Sequence, residues 1–315
     1  MDLSIIIITF NSSPFIGACL RSLAEQMKGF DYEILVVDNA SSDETCRLIQ
    51  EEFPGATLIQ SPSNIGFAKA NNLGLRKAKG EFVLLINPDT LWRKGDVKEA
   101  IQFLRDHPDI GGLGCRLILQ DGSWQKSHGH FPTLGRELKE AFYLPRLFPE
   151  MSWSQGMFNY RERFEVRPVD WVSCAFFLCK KNAIMEVGGL DEHFFMYYED
   201  IDLSKRMREK GRTLYYYPEI EIFHYQGVPT LYDFGESPYL YFEKHFGLSF
   251  AKTLRCVFLL KFFIRILIFA LLFLFTGKET FKEKRDINYR TLKFHLFEAG
   301  RILKRLGDGF RKQTD

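Results

Sequence analysis

The chain has 315 residues, 46% of them hydrophobic and 26% charged, with a formal net charge of +2. That length fits one large α/β domain with an appendage, and the apolar content excludes a disordered chain. So small a net charge gives no reason to expect a nucleic-acid partner. The charge is nevertheless uneven. Residues 1–251 hold 27 Lys/Arg against 34 Asp/Glu, a balance of −7, and residues 252–315 hold 15 against 6, a balance of +9. A basic tail of this kind seeks an anionic surface. Cys19, Cys46, Cys115, Cys174, Cys179 and Cys256 are scattered without metal-type pairing, which points to free thiols in a reducing compartment. No signal peptide is expected, because the first apolar run follows Asp2, lacks a basic region and is short.

The run Ser4-Ile5-Ile6-Ile7-Ile8-Thr9-Phe10 predicts a strand buried on both faces. Asn11-Ser12-Ser13-Pro14 then turns the chain into a helix carrying Phe15, Cys19, Leu20 and Leu23. A second buried strand over 33–38 ends in Asp38, a helix over 44–53 follows, and a short strand covers 56–60. An Ala/Leu-rich helix over 67–79 leads to a fourth strand over 82–86, which ends abruptly in Asn87-Pro88-Asp89-Thr90. This alternation implies a mostly parallel sheet covered by helices. Beyond Asp89 the pattern predicts a helix over 97–105 and a strand over 111–119. Residues 128–168 read as loops and short helices over a site. A strand over 172–179, helices over 181–187 and 202–210, and two short strands over 213–217 and 221–224 follow. The segment 254–276 is apolar except for Arg255, Lys261 and Arg265, and its length approaches that of a bilayer span. Two central cations are expensive in a span, so an interfacial helix with Lys and Arg reaching headgroup phosphates fits better; a helix buried against the catalytic domain is the alternative.

Ligands of open α/β sheets sit at the carboxyl ends of the strands, so Asp38 and Asp89 are aimed at a site. One Asp suffices to hold a hard divalent cation that also ligates substrate phosphates, although Asn-Pro-Asp is also ordinary turn chemistry. Met196-Tyr197-Tyr198-Glu199-Asp200-Ile201-Asp202 places three acids behind aromatics. Helix-dipole chemistry explains one or two of them, and an apolar setting would raise the pKa of a third towards that of a general base. His224 follows an apolar pair and could complete a metal shell. Asn64-Ile65-Gly66 opens a helix whose N-terminus suits an anion or a simple cap.

The ordered series of these segments resembles the family 2 inverting glycosyltransferases with the GT-A fold, closest to their rhamnosyltransferase-like branch. The resemblance runs from Ile8-Thr9-Phe10-Asn11-Ser12 and Val36-Val37-Asp38-Asn39-Ala40 through Asn64-Ile65-Gly66-Phe67 and Asn87-Pro88-Asp89. It continues through Asp121-Gly122-Ser123, Asp170-Trp171-Val172-Ser173 and Gly188-Gly189-Leu190-Asp191 to Glu199-Asp200 and His224. It implies that Thr9, Phe10 and Asp38 receive the nucleotide base, with Asn64, Gly66 and Asn71 as the further wall. Asn87-Pro88-Asp89 stands where the family has Asp-x-Asp, so Asn87 contacts the donor and Asp89 carries most of the side-chain ligation of a Mg²⁺ or Mn²⁺ ion. His224 is the later metal or diphosphate contact, Asp200 the catalytic base and Glu199 its neighbour. Two departures stand out. Cys174 replaces a frequent Gly and would narrow the acceptor pocket, and Val228-Pro229-Thr230 replaces the usual small residues after His-x-x-Gly.

The resemblance further implies metal-dependent, inverting transfer from a nucleotide sugar, dTDP-rhamnose being one option, to a glycan or lipid-linked acceptor in bacterial cell-surface polysaccharide synthesis. The expected setting is the cytoplasmic face of the inner membrane, peripheral or monotopic, with a homo-oligomer left open. The expected division is a GT-A domain over 1–250, its nucleotide half 1–95 and its acceptor half 96–250, with a basic, apolar helical membrane-association region over 251–315. Two other readings stay open. A sugar-phosphate nucleotidyltransferase would want a cation-bearing loop after the first strand, where Thr9-Phe10-Asn11 has none. A catalytically silent membrane-bound scaffold would not need Asp89, Asp200 and His224.

Overall fold

The computed structural model describes residues 1–158, 164–225 and 235–311, with side chains to 307. The strands are β1 Leu3–Thr9, β2 Tyr32–Asp38, β3 Thr57–Gln60, β4 Phe82–Ile86, β5 Thr90–Lys94, β6 Ile110–Ile118, β7 Trp124–Gln125, β8 His128–Gly129, β9 Arg167–Val169, β10 Trp171–Val172, β11 Phe176–Lys180 and β12 Thr213–His224. The helices are α1 Ile16–Gln26, α2 Thr45–Glu52, α3 Phe67–Lys77, α4 Val97–Asp106, α5 Leu134–Ala141, α6 Leu144–Leu147, α7 Lys181–Glu186, α8 Glu199–Glu209, α9 Ser237–Phe246, α10 Leu248–Thr276 and α11 Glu279–Arg311.

The chain divides into two compact units, residues 1–131 with 162–228 and residues 132–161 with 229–315. In the first, the main sheet runs β3-β2-β1-β4-β11-β6-β12-β5. The first four strands are parallel, β11 and β5 run against their neighbours, and β12 is parallel to β6. The sheet is therefore mixed, with its parallel half formed by β1 to β4. Successive residues of β1 face opposite sides. Leu3, Ile5 and Ile7 pack with Leu20 and Leu23 of α1 and Ile101 and Leu104 of α4. Ile6 and Ile8 pack with Ala68 and Leu75 of α3 and Leu203 and Met207 of α8. Two-sided burial is why β1 and β4 read as unbroken apolar runs.

Several elements differ from expectation. The two short strands over 213–217 and 221–224 are one strand, β12, which passes Pro218 with a register shift between Tyr217 and Glu221. The predicted strand over 172–179 is broken by a turn at 173–175, so that β10 pairs with β8 and β11 enters the main sheet. β5, which starts directly after Asp89, carries no clear apolar period and went unrecognised. α8 begins at Glu199, three residues earlier than predicted, so Glu199 and Asp200 occupy its first turn. Within the expected loops and short helices over 128–168, residues 132–158 hold the short helices α5 and α6 and belong to the helical unit. The departure at Val228-Pro229-Thr230 lies outside the described residues.

In the helical unit, α10 packs against α11, α9 and α5. The three cations of residues 254–276 are turned inward, which corrects the expectation that they reach headgroup phosphates, while Lys252 in the first turns of α10 is exposed. Lys261 is buried and pairs with buried Glu137 at 2.9 Å. Arg265 donates to the Glu140 carbonyl at 3.1 Å and lies 4.7 Å from the Tyr143 ring centroid. Arg255 donates to the carbonyls of His295 and Leu296 at 2.9 and 2.7 Å. Each charge has a partner within the unit, so it has no need to reach water.

Candidate active site

The nucleotide-side residues gather where β1 and β2 end. Register places Thr9 opposite Asp38, and the Thr9 hydroxyl donates to Asp38 Oδ1 at 2.9 Å. The Ser41 N–H donates to Asp38 Oδ2 at 2.9 Å. The buried carboxylate is thus held by two donors, and Phe10, 51% exposed, stands beside it as an apolar platform. Asn39 was missed as a site residue. Its amide donates to Asn64 Oδ1 at 2.8 Å while its oxygen accepts from Ile65 N–H at 2.8 Å, and Asn64 Oδ1 also accepts from Gly66 N–H at 3.0 Å. Asn39 therefore ties the end of β2 to the start of α3. Its position directly after Asp38 was the available signal.

Gly66 has φ +85°, and a Cβ there would lie 2.7 Å from the Phe195 carbonyl oxygen. That same oxygen accepts from Phe67 N–H at 2.7 Å. Gly66 is thus the close joint between α3 and the loop leading into α8. Asn71 does not join this group: it is buried, and its amide donates to Phe67 O within α3 at 3.0 Å.

At the end of β4, Asn87, Asp89 and His224 converge. β5 makes this happen, because its antiparallel pairing sets His224 opposite Thr90. His224 Nε2 lies 3.3 Å from Asp89 Oδ1 and 3.3 Å from the Asn87 amide nitrogen. His224 Nδ1 lies 2.7 Å from Gln125 Oε1. An amide oxygen only accepts, so Nδ1–H donates in that bond, and Nε2 is the ring atom turned to Asp89 and Asn87. Sequence reasoning missed Gln125, since β7 is only two residues long.

These donors fit a divalent cation as part of a shell. One carboxylate oxygen and one imidazole nitrogen point at the same place, with an outer amide fixing the ring. Among the described residues no group of three His, Cys, Asp or Glu side chains could hold a metal unaided. Substrate phosphates and water would have to supply the remaining ligands, as they do for Mg²⁺ at phosphate sites.

The three acids of α8 separate by environment. Asp202 is fully buried and paired with Arg206 at 2.7 Å, which makes it a structural ion pair. Glu199 is buried, and its Oε2 has no hydrogen-bond partner among the described residues. Burial, then the Asp200 charge, pushes its pKa well above the usual carboxylate range. Asp200 is only part-buried. Burial raises its pKa from 3.8 to about 6, against hydrogen bonds from backbone N–H groups including those of Ile201 and Cys174. Of the two neighbours, Glu199 is held further toward its protonated form, and Asp200 is the one that ionises more readily. The residues entering α8, Tyr197 and Tyr198, have φ of +66° and +68°. Non-glycine residues are held there only at a cost, so the surroundings enforce this turn. The loop bearing Cys174 also receives Asn87, whose N–H donates to Ala175 O at 3.2 Å. Cys174 itself is buried.

The Glycosyl transferase family 2 model matches residues 4–188, more than half of the chain. The chain belongs to this family. It is 28% identical over 254 residues to an N-acetylglucosaminyl-diphospho-decaprenol L-rhamnosyltransferase of Mycobacterium tuberculosis, covering 77% of this chain and 81% of that one. It is 27% identical over 224 residues to the rhamnosyltransferase WbbL of Escherichia coli, covering 65% and 78%. Among solved structures it resembles GalNAc-T7 with UDP, GalNAc and Mn²⁺, at TM-score 0.55 and 13% identity, covering 72% of this chain and 44% of that one. It also resembles Staphylococcus aureus TarS, at TM-score 0.51 and 19% identity, covering 77% and 40%. The chain spans less than half the length of these two structures, and at such identity they show the fold alone, GT-A. The enzyme is a glycosyltransferase with rhamnosyltransferase relatives.

Proposed function

We propose that this glycosyltransferase moves a sugar, rhamnose carried on dTDP, to a lipid-linked acceptor in one inverting displacement that depends on a divalent cation. The observation that carries this reading is the convergence of Asp89 and His224 beside Asn87 at the carboxyl end of β4, in a fold with Asp200 on an enforced turn. Thr9, Phe10, Asp38 and Asn64 receive the nucleotide, Phe10 by stacking. Asn71 supports this wall from within α3, and Gly66 lets the α8 loop close on it. Asp89 and His224 hold the cation, which when bound neutralises charge on the leaving diphosphate. Asp200 accepts the proton of the acceptor hydroxyl as that oxygen attacks the anomeric carbon from the face opposite the diphosphate. Its pKa near 6 leaves it ionised at neutral pH yet basic enough to take a proton. Glu199 beside it is pushed toward its neutral form by burial and by the Asp200 charge, which limits the build-up of a second charge.

Within residues 1–250, the α/β unit acts as the catalytic part in this reading, while 132–161 and 229–250 belong to the helical unit. Residues 251–315 of that helical unit dock the enzyme on the inner face of the plasma membrane. The free state of all six cysteines supports a reducing compartment, and the decaprenol-linked substrate in the name of the mycobacterial relative supports a lipid-linked acceptor. The test is release of nucleoside diphosphate from a panel of dTDP-, UDP- and GDP-sugars with Mg²⁺, Mn²⁺ or chelator, with the product anomer read by NMR. Asp89→Ala is expected to abolish metal-dependent donor binding in calorimetry while the protein stays folded. Unchanged donor affinity in that variant, or full turnover in chelator, would overturn the metal role. Formation of nucleoside triphosphate and sugar 1-phosphate when pyrophosphate is added, with no release of nucleoside diphosphate, would indicate a nucleotidyltransferase.

A further inference from the structure

α10 and α11 form a helical hairpin that turns at Gly277, whose φ is +66°. Contacts run antiparallel along it. Phe269 meets Phe281 with ring centroids 6.4 Å apart, Arg285 lies 6.0 Å from the Phe273 ring, and Phe262 stacks on His295 at 5.1 Å. α11 therefore lies beside the apolar stretch of α10. From Phe263 onward no residue of α10 is buried. Leu260, Phe263, Leu267, Leu271 and Leu274 recur at spacings of three and four, forming one exposed stripe, and Leu274 and Phe275 are 75% and 81% exposed.

Length and hydropathy alone would let α10 cross a bilayer. The hairpin argues against it. Were α10 to cross, or enter end-on by residues 263–276 to a depth of about 20 Å, α11 would be carried in beside it. Lys282, Lys284 and Arg285, with Glu283 and Asp286, would then lie in hydrocarbon, at about 2.5–3.5 kcal/mol for each Lys, Arg or Asp near the centre. Lying flat removes that cost. The stripe meets acyl chains while the charged helix beside it stays among headgroups. Over residues 278–305 the chain holds nine Lys/Arg against four Asp/Glu, an excess that complements anionic lipid. The inward pairing of Arg255, Lys261 and Arg265 leaves the cations within the apolar stretch of α10 already satisfied within the unit.

We infer that the α10–α11 hairpin lies in the plane of an anionic bilayer, with the stripe from Leu260 to Leu274 facing the acyl chains, and does not cross it. This rests on the membrane docking in the proposed function and specifies its geometry. The test uses the full chain with Cys46→Ser and Cys256→Ser, and one of Phe263→Cys, Leu267→Cys, Leu271→Cys or Leu274→Cys carrying a bimane label. The variants are floated with phosphatidylcholine–phosphatidylglycerol vesicles bearing a nitroxide near the headgroup or near the acyl terminus. The shallow nitroxide is expected to quench all four positions more than the deep one, with ratios within about twofold of each other, as for a helix in the interface. A preference that moves from shallow to deep along 263 to 274 would overturn the inference in favour of insertion. Flotation without quenching would overturn it in favour of a second copy of the chain covering the stripe. Absence of flotation would overturn the docking and this geometry together. Donor hydrolysis on the same samples reports separately whether the transferase reading stands.

Discussion

Two sets of buried ionisable groups answer the same physical problem in opposite ways. In the helical unit, Lys261 is buried against Glu137 at 2.9 Å. In the α/β unit, Glu199 is buried with an oxygen that meets no donor among the described residues, and part-buried Asp200 beside it is held by backbone N–H groups. Taking a charge out of water is costly, and a partner offsets the cost only when it is well placed. The paired set therefore reads as architecture. The unpaired set is poised to titrate, which is what a general base requires. α8 contains both solutions two residues apart, since Asp202 is paired with Arg206 at 2.7 Å while Asp200 has no ion pair among the described residues.

The sharpest way to break this contrast is Asp200→Asn. The amide keeps the shape and cannot accept the proton, so turnover is expected to fall about 10²–10⁴-fold. Donor affinity in calorimetry is expected to stay within a few-fold. A variant turning over at near the wild-type rate would move the base to Glu199. On the other side of the comparison, Lys261→Ala leaves Glu137 buried without its cation and is expected to destabilise the chain by about 3–5 kcal/mol. The double substitution Lys261→Met with Glu137→Leu is expected to restore most of that. Urea unfolding of the full chain in detergent reads both, and a loss below about 1 kcal/mol for Lys261→Ala would mean the pair is not an isolated buried one.

A smaller effect is expected at Gln125. It touches the candidate metal site only through the His224 ring, so Gln125→Ala is expected to weaken Mn²⁺-dependent donor binding about 10–100-fold, short of the loss in Asp89→Ala. Titration of Mn²⁺ at fixed donor measures it. An unchanged midpoint would leave His224 oriented by other contacts.

What could be read from sequence follows how local each signal is. Asp38, Asp89 and Asp200 were visible because each follows an apolar or aromatic run that marks where the chain must turn. β5 was not visible: a five-residue strand, Thr90–Lys94, ending in two exposed cations resembles a loop. Yet it is the register of β5 with β12 that brings His224 to Asp89. β12 read as two strands because Pro218 interrupts its pattern, and only the neighbouring β6 shows it to be continuous. The direction of Lys261 was also misread. Its apolar neighbours suggested a cation reaching for phosphate, whereas its partner Glu137 lies 124 residues away in a segment with no clear period.

The smallest expected effect concerns stability, and its sign is fixed by linkage. The folded-state pKa of Asp200 is raised from 3.8 to about 6. Below the lower value the group is protonated folded and unfolded alike, and it costs nothing. As pH climbs between the two, the unfolded chain gives up the proton first, so folding loses stability until the folded group ionises near 6. Asp200→Asn removes this penalty. The variant is expected to melt with the wild type near pH 4 and a few degrees above it at pH 7, since about 1 kcal/mol corresponds to roughly 2–4 °C in a domain of 150–250 residues. The same titration is expected to shape wild-type turnover, which should fall tenfold per unit as pH drops below about 6. A variant that melts below the wild type at pH 7 instead, with the difference vanishing toward acid, would mean that ionised Asp200 is stabilised by a partner. It would then belong with Lys261 and Asp202, among the groups that hold the fold.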